Sequence, residues 1–280
     1  MVSHHSADVE FDRITTPSGL QFLVAKAGHG PNLLFVGGTD GDLLRHDAVS
    51  PFFDELTSQF TVWSYDQRGL GSSAKPVGPY TMGDYADDAR DLVVMLELGE
   101  VPVVGYSFGG MVAQEFVLRH PARVGRLGLV CTSSGGDGGS SFPVNELAGL
   151  PTPERRSRTL ALWDTRRDDD WQRANPEACA DWDREWTAFE SLTAATEGQP
   201  MGSRAQLAAR LQHDTCARLS EVRAPTLVLG GVWDGIAPID RQLALAMRIP
   251  NSSIALLDGG HRVLWEDGRA PGIVAKWAAE

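Results

Sequence analysis

The chain has 280 residues, 42% hydrophobic and 22% charged, and its 37 acidic against 25 basic side chains give a net charge of −12. That composition fits an ordinary globule, long enough for one large α/β domain with an inserted subdomain or for two small domains. The acidic balance argues against nucleic acid as a partner, because phosphate contacts need clustered Lys and Arg.

Three cysteines, Cys131, Cys179 and Cys216, are widely separated and in no metal-ligand spacing, which fits a reduced, cytoplasmic setting. The first ten residues are polar and lack the apolar segment of a signal peptide. No run is long enough to span a bilayer, so no membrane association is expected. His4 and His5 read as part of a polar tail, not as a metal site.

In chain order, residues 9–14 and 20–25 flank Thr16-Pro-Ser-Gly19, a hairpin signal. Residues 33–36 form an apolar run ending in Gly37-Gly38. A short helix is predicted at 51–58, and a second run, 60–65, leads into Asp66-Gln-Arg68-Gly-Leu-Gly-Ser72. That last stretch reads as a structural turn whose carboxylate and guanidinium brace neighbouring loops. Residues 84–98 carry aliphatics on one helical face, open with acids and stop at Gly99. A strand at 101–105, a helix at 110–120 closed by Pro121 and a strand at 127–131 follow. Continuous apolar strands separated by helices predict a parallel sheet buried on both faces.

The alternation breaks at Thr132 and resumes at Pro225 with strands at 226–229 and 253–257 and helices near 239–247 and 272–279. Between them the pattern is helical and heavily charged. The expected organisation is therefore a core of residues 1–133 and 220–280 with a helical cap inserted at 134–219. The Gly135–Gly139 stretch lacks the Gly-Lys-Ser/Thr ending of a phosphate loop and reads as a flexible link. Trp163, Trp171, Trp182 and Trp186 lie in the predicted cap, at spacings more often found in a core than in a pocket wall. Arg155, Arg156, Arg158, Arg166 and Arg167 could recognise a carboxylate substrate, but among so many acids they read as a solvated, salt-linked surface.

The chemistry concentrates at Gly105-Tyr-Ser107-Phe-Gly109, which joins a predicted strand directly to a predicted helix. That context turns a common five-residue pattern into a nucleophile elbow, with glycines allowing close approach and Ser107 on a strained turn. A serine hydroxyl needs a base, and the base needs an orienting acid. In this architecture they follow in the order Ser, Asp or Glu, His, at the carboxyl ends of later strands. Asp234 is the first carboxylate after the strand at 226–229, and His261 follows the strand at 253–257 after Asp258-Gly-Gly. Asp137 is the rival acid. His29, His46, His120 and His213 lack the strand-end setting. The oxyanion hole is expected from the backbone N–H of Phe108 and that of Thr39, or Gly38 in the alternative register.

Together, the Gly-Gly turn near 37, Asp66-x-Arg-Gly-x-Gly-Ser72, Gly105-x-Ser-x-Gly109, Gly230-x-x-Asp234-x-x-x-Pro238 and Gly259-Gly-His261 resemble the α/β-hydrolase superfamily. The resemblance lies within the group that includes 3-oxoadipate enol-lactonases and esterases. It implies a mostly parallel eight-stranded sheet with helices on both faces and a helical cap. Ser107 is then nucleophile, His261 general base and acid, and Asp234 the group that orients His261. The usual His-Gly of the oxyanion turn is Gly37-Gly38 here, which resembles polyketide methylesterases. Serine at the nucleophile position argues against dehalogenase and epoxide-hydrolase chemistry.

The expected activity is hydrolysis of a small, partly apolar carboxylic ester or lactone through an acyl-enzyme. Carbon–carbon hydrolysis of a diketone and cofactor-free perhydrolysis are the alternatives, and a ligand receptor on a hydrolase scaffold is the non-enzymatic one. With neither a metal-ligand cluster nor a dinucleotide fingerprint, no cofactor is expected.

Overall fold

The computed structural model describes residues 9–41, 43 and 51–280, with 51 and 52 described through their backbone. His4, His5 and His46 lie outside the described residues. Strands β1 (Glu10–Thr15) and β2 (Gln21–Gly28) form the expected hairpin, pairing Thr15 with Gln21 around Gly19 at φ +80°. There follow β3 (Asn32–Val36), α1 (Pro51–Thr57), β4 (Thr61–Tyr65), α2 (Met82–Met95), β5 (Val101–Tyr106), α3 (Phe108–Arg119) and β6 (Val124–Val130). Four helices come next: α4 (Thr152–Trp163), α5 (Asp169–Ala174), α6 (Pro176–Ala195) and α7 (Gln199–Leu211). The chain closes with β7 (Thr226–Gly231), α8 (Ile239–Arg248), β8 (Ser252–Leu257), α9 (Val263–Glu266) and α10 (Ala270–Ala279).

The eight strands form one sheet in the order β1-β2-β4-β3-β5-β6-β7-β8. β2 runs antiparallel to β1 and β4, and every other pairing is parallel. The unbroken apolar character of the central strands follows from burial on both sides. Leu34, Val36, Val103, Leu127 and Val228 point into one core with Tyr85, Leu92, Phe108 and Phe116 of α2 and α3. Their neighbours Leu33, Phe35, Val104, Val130 and Leu229 point into the other, with Leu56, Val274 and Trp277 of α1 and α10.

Some boundaries differ from the sequence reading. α2 starts at Met82, two residues early, because Thr81 and Asp84 form a capping box: the Asp84 N–H donates to Thr81 Oγ1 (3.1 Å) and the Thr81 N–H to Asp84 Oδ2 (2.8 Å). It ends at Met95, where Glu97 (φ +54°) and Gly99 (φ +76°) turn the chain toward β5. α3 starts at Phe108 and not at Gly110, so helix follows strand with Ser107 alone between them. β6 extends back to Val124 and α10 to Ala270, adding a first turn to the last helix. No helix among the described residues is long and apolar enough to cross a membrane.

Candidate active site

Ser107 makes the whole turn between β5 and α3, at φ +53° and ψ −114°. A non-glycine residue with positive φ is strained and needs surroundings that over-determine it. Here the Ser107 N–H donates to Val130 O (2.8 Å), and Thr132 Oγ1 donates to Ser107 O (2.8 Å). A Cβ at Gly105 would overlap the Gly109 carbonyl, and one at Gly109 would overlap the Val36 carbonyl. Only glycine lets strand, helix and the β3 turn meet this closely.

The structure brings Asp234 and His261 to this turn from the ends of β7 and β8. His261 Nε2 lies 2.9 Å from Ser107 Oγ, and His261 Nδ1 lies 2.8 Å from Asp234 Oδ2. All three residues are buried. The second Asp234 oxygen, Oδ1, accepts the Ile236 and Ala237 N–H groups (2.8 and 2.9 Å), which fixes the carboxylate plane. Tyr106 donates its hydroxyl to the His261 carbonyl (3.0 Å).

A further restraint comes from α4. The last carbonyls of a helix lack intrahelical partners. At the end of α4, Leu162 O accepts the Gly235 N–H (2.9 Å) and Trp163 O accepts the His261 N–H (2.6 Å). One helix terminus therefore holds the loop of the acid and the loop of the histidine together. Sequence reasoning missed this link, since backbone partners leave no side-chain signal.

Cys131, at φ +48°, lies beside the pair, and burial with the nearby Asp234 charge pushes its thiol well above its usual range. Among the described residues, Cys131, Asp234 and His261 are the one set of potential metal donors close together, within 4.8 Å. Both His261 nitrogens already face Asp234 and Ser107.

Gly38 and Thr39 both reach the wall of a cavity of about 380 Å³ that Ser107 and His261 also line. Phe108 opens the first turn of α3 while its ring packs in the core, edge-on to Tyr85. The other candidates lie elsewhere. Asp137 is exposed on a short turn, His29 is exposed, and His120 pairs with Asp87 (2.7 Å). His213 is buried, and burial pushes its pKa down to about 4.

The remaining cavity wall corrects the reading of the tryptophans. Trp163, Trp182 and Trp186 line the cavity with Phe189, their rings in mutual contact at centroid distances of 5.1 to 5.9 Å. Trp182, Trp186 and Phe189 share a face of α6 that covers a cavity, with Trp163 joining them from the end of α4, where the spacing suggested a core. Trp171 lies apart, beneath the Arg167 guanidinium. The predicted salt-linked arginines pair as expected: Arg155 and Arg156 with Glu190 (2.6 and 2.9 Å), Arg158 with Glu154 (2.9 Å), Arg166 with Asp164 (2.6 Å) and Arg167 with Glu266 (3.2 Å). Asp66 braces its turn by accepting the Leu43 and Ser72 N–H groups (2.7 and 2.8 Å), and Arg68 forks onto Asp88 of α2 (both 2.6 Å).

Residues 31–268 match the family model for the alpha/beta hydrolase fold. The chain belongs to that family. A poly(3-hydroxyalkanoate) depolymerase of Ectopseudomonas oleovorans is 30% identical over 84% of this chain and 80% of its own. Among solved structures, a hydrolase from Pseudomonas aeruginosa is similar at a TM-score of 0.77, with 25% identity over 97% of this α/β hydrolase and 99% of that chain. An enol-lactonase from Burkholderia xenovorans shares the fold at a TM-score of 0.75, with 21% identity over 96% of this chain and 100% of its own.

Proposed function

We propose that this α/β hydrolase is a serine hydrolase that cleaves a small, partly apolar carboxylic ester or lactone. The observation that carries the reading is the buried relay from Ser107 Oγ to His261 Nε2 (2.9 Å) and from His261 Nδ1 to Asp234 (2.8 Å). His261 takes the Ser107 proton as Oγ attacks the acyl carbon, and Asp234 holds the ring and stabilises the imidazolium. The oxyanion is met by the Phe108 N–H at the start of α3 and by the N–H of Thr39, or of Gly38. Collapse expels the alcohol, protonated by His261, and leaves an acyl-enzyme on Ser107. Water, activated by the same histidine, then releases the acid.

The helical segment 134–219 acts as a cap, and its aromatic residues shape a pocket for an apolar group. The relative named as a polyester depolymerase supports an ester bond as the target. The test is labelling of Ser107 by a fluorophosphonate together with turnover of p-nitrophenyl esters. Ser107→Ala is expected to lose about four to six orders of magnitude in kcat and all labelling. Undiminished turnover by that variant would end the reading.

A further inference from the structure

Arg210 has no carboxylate partner among the described residues, and it lines the same cavity as Ser107 and His261. It sits on α7, with Leu207 one turn earlier facing the same space. The residue is buried. A buried charge is costly unless it is paired. Arg210 Nη2 donates to Ser141 Oγ (2.9 Å) and to Phe142 O (3.0 Å), both neutral acceptors. Its Nε–H and Nη1–H groups have no acceptor among the described residues, on a side chain that lines the cavity.

The other arginines of the wall are answered. Arg155 pairs with Glu190 (2.6 Å), and Arg262 pairs with Glu185 (3.5 Å) and lies over the Trp163 ring. Burial pushes the Arg210 pKa down to about 10, which leaves it protonated at neutral pH, and the charge whose field reaches it is Asp234.

We infer that Arg210 forms an anion subsite and that the substrate carries a carboxylate on an apolar chain or ring. The donors left free on a planar guanidinium suit a carboxylate, and the aromatic wall suits the apolar portion. That the bound acid is a substrate rests on the proposed hydrolase reading; anion binding at Arg210 does not.

The experiment is a tryptophan-fluorescence titration of the full chain with hexanoate and with hexanamide, which match in chain and differ in charge. Hexanoate is expected to bind at least about tenfold more tightly. The gap should close to within about twofold in Arg210→Met and persist in Arg210→Lys, as expected of a charge-assisted contact. Equal binding of the two ligands, or a gap that survives Arg210→Met, would overturn it. If Arg210→Met does not melt cooperatively, Arg210→Gln, which keeps an amide donor, is titrated in its place.

A second measurement compares kcat/KM for mono-p-nitrophenyl adipate and p-nitrophenyl hexanoate. Loss of Arg210 should lower that ratio by about tenfold if the guanidinium holds the acid. If Arg210 only balances the Asp234 charge, both rates fall together, the ratio stands, and the subsite is refuted. Failure of the hydrolase reading looks different: neither ester is turned over, Ser107 is unlabelled, and the hexanoate titration still decides the subsite.

Discussion

Replacing Gly260 with alanine tests whether the α4 terminus aligns the histidine. A Cβ on Gly260 would overlap the Trp163 carbonyl oxygen and stand 2.9 Å from the Cα and Cβ of Asp164. Backbone occupies both directions, so no side chain can rotate away. Restoring van der Waals separation requires the loop or the helix end to move by about 1 Å. That movement breaks the 2.6 Å bond from the His261 N–H to Trp163 O and carries Nε2 off its 2.9 Å contact with Ser107. A misplacement of about 1 Å near reacting groups costs about 100-fold in rate, or about 2.7 kcal/mol of barrier. Losing a buried backbone bond costs about 1–3 kcal/mol of stability.

The assay is kcat for p-nitrophenyl acetate with the rate of fluorophosphonate labelling, read beside thermal melting. Gly272→Ala is the control, since a Cβ there meets nothing within 4 Å. Gly260→Ala should slow both readouts about 100-fold and lower the melting temperature, while Gly272→Ala, in the α10 helix, leaves the rates in place and does not lower the melting temperature. A Gly260→Ala enzyme with kcat within about threefold of the parent and an unchanged melt would refute the alignment argument.

Two further outcomes concern stability. Arg68→Met strands the buried Asp88 carboxylate, whose pKa burial already pushes up to about 6, and is expected to cost about 3–5 kcal/mol in urea unfolding at pH 8. The loss should shrink at pH 5, where Asp88 takes a proton in the folded state; a loss independent of pH would contradict the pairing. His213, held neutral by burial with a pKa of about 4, faces Glu115, Asp214 and Arg218. Its folded value lies below the unfolded 6.5, so the unfolded chain binds more protons and stability falls as pH drops from about 6.5 toward 4. At pH 5 the contribution is about 2 kcal/mol, and a His213→Leu variant that folds should lack that part of the acid limb in a urea series from pH 7.5 to 4.5.

The meeting of Ser107, Asp234 and His261 was legible because each sits at a strand end, and strand ends are marked locally. The apolar run before Ser107 and the small residues after β7 and β8 place three distant side chains on one rim of a parallel sheet. The parallel sheet followed from the same alternation of runs and helices, and its eight strands from the resemblance, whereas the order of the strands across the sheet has no local signal. What sequence could not give depends on who faces whom. Trp182 and Trp186 share a helical face, but periodicity does not say whether that face covers protein or a cavity. Arg210 looks like any arginine on an amphipathic helix until Ser141, Phe142 and the cavity wall are placed around it. The capping box at Thr81 and Asp84 was readable in principle, and the acidic opening at Asp84 drew the boundary two residues late.

The way α4 and α7 meet the core also says where this family member can be recombined. Leu162 and Trp163 are bonded to the loops of Asp234 and His261, and Gly202 of α7 lies backbone to backbone against Gly69. Gln199 also accepts the Gly71 N–H (2.8 Å). A chimera spliced at 134 and 219 would exchange those supports together with the pocket lining. Crossovers placed after Trp163 and before Gln199 would swap the aromatic wall of α6 while leaving the parental alignment of the histidine and its acid intact. The interchangeable module is thus α5 with α6, shorter than the whole segment 134–219.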